Sequence, residues 1–196
     1  MATIVSLILS FVVTASPWDS IFPNIFAGLL TGLVVTLINS LKSRSIRNIE
    51  IERGFLNTLH EQYISSNKQY YEYRKKRYSN DDEYFTALYD LATEMYSVET
   101  FIEQINGNVI LIRTMGNRPS EIFKKENDYD LDEQNKRHKE LIEIIDSKVN
   151  YDENIREEID ERIKIIRSAH FALNHKVFNL MGSLSDQKIE IETSIL

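Results

Sequence analysis

The sequence predicts an all-α protein in which an N-terminal transmembrane helix or short hairpin precedes a cytoplasmic antiparallel helical bundle or coiled coil. Three observations support this class. The stretch from Ile21 to Leu41 carries no charge, and about 20 apolar residues at 1.5 Å each cross the ~30 Å hydrocarbon core of a bilayer. Pro119 is the only proline after this stretch, so few residues there would break a helix. Apolar residues beyond it recur at spacings of three and four, the period of an amphipathic helix.

Residues 1–41 form the predicted membrane segment, with the main span at residues 21–41. A single segment in lipid must satisfy its own backbone hydrogen bonds, so the span must be a helix. Pro23 lies in the first turn, where its missing N–H is tolerated. Trp18 lies just outside the span, a position typical of the amphipathic indole ring at a membrane interface.

The charges that flank the span predict its orientation. Asp19 is the only charged residue before it, whereas Lys42, Arg44, Arg47 and Arg53 follow it. Because basic residues are retained on the cytoplasmic side of a membrane, we expect the soluble part, residues 42–196, to be cytoplasmic.

Residues 2–15 are apolar but too short for an ordinary span, and Ser16-Pro17 ends them. A secretory signal would begin with basic residues, and none is present. Two interpretations stay open. The segment is a short first span that forms a hairpin with the main helix, or it is an interfacial or re-entrant segment packed on that helix.

Small and polar residues recur every four positions along one face of the main span. They are Asn24, Gly28, Gly32, Thr36 and Ser40. Small residues allow two membrane helices to approach closely, because no hydrophobic force draws helices together in lipid. This stripe either packs against residues 2–15 of the same chain or joins copies into a homo-oligomer.

Composition limits what the soluble part can do. Its length, about 155 residues, suits one domain. The chain has no cysteine, which excludes disulfides, thiolate catalysis and cysteine-ligated metals. All 23 basic residues and 29 of the 30 acidic residues lie after Leu41, so the soluble part has a net negative charge. This acidic balance argues against general electrostatic binding of nucleic acid or anionic lipid.

Four long helices are expected in the soluble part. Capping and breaking residues put them at about residues 43–79, 80–106, 132–149 and 152–182. We interpret the apolar run at residues 109–112 as helical. The alternating tail at residues 188–196 is either a small strand or a frayed end.

No catalytic, cofactor or metal site is predicted. His170 and His175 are five residues apart, whereas two zinc ligands on one helix face require four. His138 lies within a charged run, residues 136–139, which we expect to be solvated, although its spacing from Leu141 also puts it on the inward stripe. No glycine-rich phosphate loop or serine elbow occurs in the sequence.

Aromatic and cationic side chains alternate at residues 70–78. They include Tyr70, Tyr71, Tyr73, Arg74, Lys75, Lys76 and Arg77. This pattern could stack on bases and neutralise phosphates, or contact a protein partner. The simpler interpretation is that cations favour a helix C-terminus and the tyrosines cover a bundle edge.

The chain resembles one known class of proteins. The resemblance is carried by Asn24, Ala27-Gly28 and Gly32, which lie at the start of a span that precedes a helical domain. The layout is similar to small bacterial membrane-anchored effectors of anti-phage systems, including two-span proteins associated with retrons. The resemblance implies an inner-membrane location, control by a cytoplasmic protein or ribonucleoprotein regulator, and membrane damage when infection is sensed.

Three functional hypotheses follow. The favoured one is a non-enzymatic inner-membrane effector whose helical domain is controlled by a partner and whose spans perturb the membrane. The second is a membrane-anchored scaffold that recruits a cytoplasmic protein. The third is a nucleic-acid-binding adaptor that uses residues 70–78.

Overall fold

The computed structural model describes residues 18–116, 122–123, 129–147 and 153–194, excepting the side chains of residues 18–23 and 153. Within these ranges the regular structure is entirely helical, which confirms the predicted all-α class. The main helices are α1 (Trp18–Lys75), α2 (Asp81–Asn106), α3 (Val109–Met115), α4 (Leu131–Asp146) and α5 (Glu153–Thr193). The segment at residues 2–15 lies outside the described residues, so the two interpretations given for it stay predictions.

The chain divides into two compact units, one ending at Asn48 and the other beginning at Ile49. Helix α1 contains the whole predicted span and continues without a break to Lys75. The predicted span and the first helix predicted after it, at residues 43–79, are therefore one continuous helix. Gly54 does not interrupt it, although a glycine inside a helix is less favourable than alanine by about 1 kcal/mol.

Helix α2 begins where its capping residues predict. The side-chain oxygen of Asn80 accepts a hydrogen bond from the Glu83 backbone N–H at 2.8 Å. The Glu83 carboxylate in turn accepts from the Ser79 backbone N–H at 3.1 Å. The first bond satisfies a backbone N–H that the helix itself leaves unpaired, and the second pairs the N–H of the residue before the cap.

Loss of the Asn80 cap should measurably weaken the domain. We expect Asn80→Ala to lower the free energy of unfolding by about 1 kcal/mol, because the Glu83 N–H loses its acceptor. Asn80→Asp keeps an acceptor oxygen and should stay within a few tenths of a kcal/mol of wild type. Chemical denaturation of the three proteins measures the difference. Equal losses in both variants would show that the cap does not stabilise α2.

Helix α3 confirms the helical interpretation of the apolar run at residues 109–112. The Asn108 side chain caps its first turn by accepting from the N–H groups of Ile110 and Leu111. The helix ends at Gly116, whose φ of 74° is left-handed. Glycine adopts this conformation without a Cβ clash, which explains its use as a helix stop.

The core of the second unit consists of two apolar clusters. The first joins side chains from α1, α2 and α5 around Leu56, Ile102 and Leu173. The second joins α2, α4 and α5 around Leu88, Leu141 and Ile163. Helix α4 packs against both α2 and α5, so these three helices surround a common interior.

Polar contacts connect α1 and α5 along much of the second unit. As the residue numbers of the contacts rise along α1, those of their partners fall along α5, so the two helices are antiparallel. The pairs are Glu50 with Lys188 at 2.9 Å, His60 with Asn174 at 2.8 Å, Asn67 with Arg167 at 2.9 Å and Arg74 with Asp160 at 3.2 Å. The exposed ion pairs among them contribute little stability individually, but together they fix the register of α1 against α5.

The predicted end of the last helix at Gly182 is wrong, because α5 continues to Thr193. Gly182 has no left-handed φ, so it does not act as a stop. Residues beyond it are held by packing, with Leu184 buried and Ile191 packed against the first apolar cluster. The tail is accordingly helical through Thr193, so the strand offered for residues 188–196 is wrong over the residues that the structure describes.

Candidate functional site

An uncovered apolar surface runs along the first part of α1. By length and composition α1 is the one described helix that could cross a membrane, and none of its apolar window is buried. A helix in the core of a soluble protein would be mostly buried. Its large apolar side chains are 38–59% exposed, namely Ile25, Leu29, Leu30, Leu33, Val34, Val35, Leu37, Ile38 and Leu41.

The small-residue stripe lies on this surface, and no described residue covers it. Asn24, Gly28, Gly32, Thr36 and Ser40 are all exposed. Apart from the adjacent residues and the helix's own backbone, no atom of the described chain lies within 4 Å of a Cβ built on Gly28 or Gly32. The Thr36 hydroxyl donates to the Gly32 carbonyl within the same helix at 2.7 Å, so this polar group needs no external partner.

The aromatic and cationic patch at residues 70–78 is largely engaged within the domain. Tyr73 is buried and donates to the Tyr84 hydroxyl at 3.0 Å, and burial raises the pKa of Tyr73 far above its ordinary value. The Arg167 guanidinium lies 3.5 Å from the centre of the Tyr70 ring, a cation–π contact that occupies one face of the ring.

Two of the four cations of the patch form ion pairs within the domain. Arg74 pairs with Asp160 at 3.2 Å, and Lys76 pairs with Glu83 at 2.9 Å. Tyr71, Lys75 and Arg77 are exposed. The contacts agree with the simpler interpretation, in which these residues complete the end of α1 and cover a helix edge. Arg74 and Lys76 are exposed as well, but Tyr71 is the one exposed ring among Tyr70, Tyr71 and Tyr73, and a single ring is a small surface for stacking bases.

A buried polar cluster, which we call the Glu99 cluster, lies where the two apolar clusters meet. It contains Glu99 from α2, Tyr129 from the segment before α4, His138 from α4 and His170 from α5. Glu99 and His138 are fully buried, and His170 is 2% exposed. Charged residues are almost never fully buried unless they are paired, so partners are expected around the Glu99 carboxylate.

Short contacts join the members of the Glu99 cluster. Glu99 Oε1 accepts from His170 Nε2 at 2.7 Å and from the Tyr129 hydroxyl at 2.9 Å. Glu99 Oε2 lies 3.8 Å from His138 Nδ1, and His138 Nδ1 lies 3.0 Å from the Gln134 carbonyl oxygen. The two imidazole rings are nearly parallel, with centroids 5.8 Å apart.

The electrostatics of the cluster favour an ionised Glu99. Burial alone would raise the pKa of Glu99, but the positive charge that His170 and His138 can carry and the hydrogen bonds from His170 and Tyr129 outweigh it and lower the pKa. Burial lowers the pKa of His138 more than the Glu99 carboxylate raises it. Burial beside Glu99 raises the pKa of the Tyr129 hydroxyl well above its ordinary value, so this hydroxyl stays a donor.

Several buried polar atoms of the cluster have no partner among the described residues. They are Glu99 Oε2, His138 Nε2 and His170 Nδ1, none of which has a hydrogen-bond partner there. Buried polar groups are nearly always hydrogen-bonded, so three such atoms in one cluster are unusual. Among the described residues, Glu99, His138 and His170 are also the group whose geometry could hold a metal ion.

Sequence reasoning missed this cluster. The inward position predicted for His138 from its spacing to Leu141 is confirmed, whereas the expectation that it is solvated with its charged neighbours is wrong. His138 follows Leu131 and Gln134 and precedes Leu141 and Ile145 on the buried stripe of α4, whereas the charged neighbours at 136, 137 and 139 point to other sides of the helix. The signal that could have found the cluster was an ionisable residue at an inward position on each of three helices.

No protein-family model, curated protein or solved structure matches this chain. The function must therefore be inferred from the geometry of α1 and of the second unit.

Proposed function

We propose that the chain is a non-enzymatic membrane-anchored protein whose N-terminal apolar helix lies in a bilayer and whose helical domain is cytoplasmic. One observation carries this proposal: the apolar side chains of residues 25–41 are exposed and nothing in the described chain covers them. In water that surface is unfavourable, whereas each Leu, Ile, Val or Phe at the centre of a membrane helix favours insertion by about 0.3–0.6 kcal/mol.

Orientation and the arrangement of the domain belong to the same proposal. The basic residues Lys42, Arg44, Arg47 and Arg53 favour a cytoplasmic domain at a bacterial inner membrane. The opposite order of the α1 and α5 contacts supports an antiparallel helical bundle. Such a domain offers helix faces to a protein or ribonucleoprotein regulator.

The specific activity we propose is that of an effector that perturbs the membrane when its domain is released by a partner. The open face around Gly28 and Gly32 supports this proposal, because it lets span helices of several copies approach closely. The resemblance to two-span anti-phage effectors points to the same outcome.

Bulky residues on the open face should abolish membrane damage. We expect induced expression of the wild-type chain to collapse the membrane potential, and Gly28→Leu combined with Gly32→Leu to prevent this while the protein stays inserted. A potential-sensitive dye reports the damage, and resistance of the protein to alkaline extraction reports insertion.

Ala27→Leu combined with Val34→Leu is the matched control, since residues 27 and 34 lie roughly 100° or more around the helix from Gly28. This control should damage the membrane as wild type does. Equal damage by the glycine variant would contradict the effector mechanism. Replacement of residues 1–41 by an unrelated span tests the scaffold alternative, because a scaffold keeps its activity with any anchor and an effector does not.

A further inference from the structure

We infer that Glu99, His138 and His170 form a binding site for a first-row transition-metal dication such as Zn²⁺, in the interior of the helical domain. This inference is independent of the membrane function proposed above. It depends on the convergence of three ligand-bearing helices, on the unpartnered Oε2 atom of Glu99 and on the chemistry of the donor set.

The three side chains converge from parts of the chain that are far apart in sequence. One ligand atom from each lies within 4.8 Å of the other two. Zinc binds imidazole nitrogen and carboxylate oxygen at about 2.0–2.2 Å, so ligand atoms around one ion are about 3–4 Å apart. The distance of 3.8 Å between Glu99 Oε2 and His138 Nδ1 already has this size.

The contact between His170 and Glu99 is shorter, at 2.7 Å, because a proton on His170 Nε2 joins the two atoms. A metal ion would take the place of this proton, and its binding would release the proton. His138 Nδ1 would likewise give up its contact with the Gln134 carbonyl oxygen. Small movements of side chains therefore convert the observed arrangement into a ligand set.

The unpartnered atoms show that hydrogen bonding within the cluster is incomplete. Glu99 Oε2 has no hydrogen-bond donor among the described residues, although the carboxylate is fully buried. A buried carboxylate without full compensation is strongly unfavourable. A dication bound to Glu99 supplies both the missing charge and the missing contact.

The donor set selects the kind of ion. Two imidazoles and one carboxylate suit Zn²⁺ and its first-row neighbours, whereas Mg²⁺ and Ca²⁺ prefer ligand sets made only of oxygen. The Tyr129 hydroxyl donates to Glu99 Oε1 at 2.9 Å, an outer contact of the type that orients a ligating carboxylate.

The site adjoins the surface between α2 and α4. A groove of about 620 Å³ lies there, and His138 forms part of its wall together with Tyr96 and Glu103. The site itself is closed to water, since its three ligands are at most 2% exposed. An enclosed ion held by α2, α4 and α5 would join these helices and stabilise their packing.

Metal content and spectroscopy of the full-length purified protein test this inference. After treatment with chelator and dialysis, we expect the protein to bind one Zn²⁺ per chain, measured by elemental analysis. Zinc at about 100 times its dissociation constant should raise the Tm by on the order of 5–10 °C. Co²⁺ in the same protein should give the visible absorption of a low-coordinate nitrogen and oxygen site.

Variants separate the buried site from surface binding. Glu99→Gln and His170→Gln should each lose the stoichiometric ion, the Tm increase and the cobalt spectrum. His175→Gln is the matched control, because His175 is exposed on the same helix and should bind as wild type does. The inference is overturned if wild type binds no ion and its Tm is unchanged by Zn²⁺, or if the Glu99 and His175 variants bind equally. The wild-type titration decides the matter even if a variant fails to fold.

Discussion

Two arginines in the centre of the apolar segment are expected to release the protein from the membrane. Arginine at the centre of a membrane helix opposes insertion by about 2.5–3.5 kcal/mol, whereas each apolar residue favours it by only about 0.3–0.6 kcal/mol. Leu30→Arg combined with Val34→Arg therefore outweighs most of the apolar residues between Ile25 and Leu41. Both positions are exposed, so neither arginine is forced into a packed core.

The measurement is the fraction of protein that stays in the membrane pellet after alkaline extraction. Wild type should stay almost entirely in the pellet, and the arginine variant should move to the supernatant. Val109→Arg combined with Ile110→Arg is the matched control, because these residues are apolar and more than half exposed on α3 but lie outside the span. It should remain in the pellet. A wild-type chain that is soluble without detergent would contradict the membrane anchor.

This experiment is decisive because an apolar helix has few alternatives. A stretch of this composition is either covered by its own protein, covered by another protein or embedded in lipid. The sequence cannot distinguish a membrane helix from a buried core helix of similar composition. The structure removes the core alternative for the described residues, since no part of the apolar window is buried.

The helix boundaries that could be predicted were those set by local chemistry. Asn80 acts through a hydrogen bond from the Glu83 N–H to its side chain, three residues away. Such a signal is complete in the sequence, because the interacting groups are neighbours in the chain. The sequence was therefore sufficient for the all-α class and for the starts of α2, α4 and α5, whereas the predicted helix ends at residues 79, 149 and 182 differ from Lys75, Asp146 and Thr193.

The C-terminus of α5 could not be predicted in this way. A glycine inside a helix is unfavourable by about 1 kcal/mol, which makes Gly182 resemble a stop. Burial of Leu184 and the contact of Lys188 with Glu50 stabilise the helix beyond it. These contacts depend on residues more than a hundred positions away, so no local pattern contains them.

The Glu99 cluster was missed for a related reason. Spacing of three and four assigns a residue to the inward face of its helix, but it does not determine which residue of another helix faces it. Glu99, His138 and His170 each occupy inward positions, yet only the packing of α2, α4 and α5 brings them together. An ionisable residue on the inward face of a helix predicts a buried polar cluster when several helices of the domain each have one.

Removal of the Glu99 side chain is expected to cause the largest loss of stability of any substitution considered for the domain. Glu99→Ala leaves His170 Nε2 and the Tyr129 hydroxyl without their acceptor and opens a cavity between two apolar clusters. Removal of one partner from a buried charged network typically costs about 3–5 kcal/mol. For a chain of this size that corresponds to a decrease in Tm of roughly 10 °C or more.

Denaturation in the presence of chelator measures this loss without a contribution from bound metal. Glu99→Gln retains the shape and one acceptor oxygen, so its loss should be smaller than that of Glu99→Ala. Glu103→Ala is the matched control one turn along α2, where the carboxylate is exposed and accepts from Asn135. Its effect should stay within about 0.5 kcal/mol, as for most surface substitutions. Helix α4 packs against α2 and α5 beside Glu99. A loss below 1 kcal/mol for Glu99→Ala would therefore mean that this cluster does not hold the domain together.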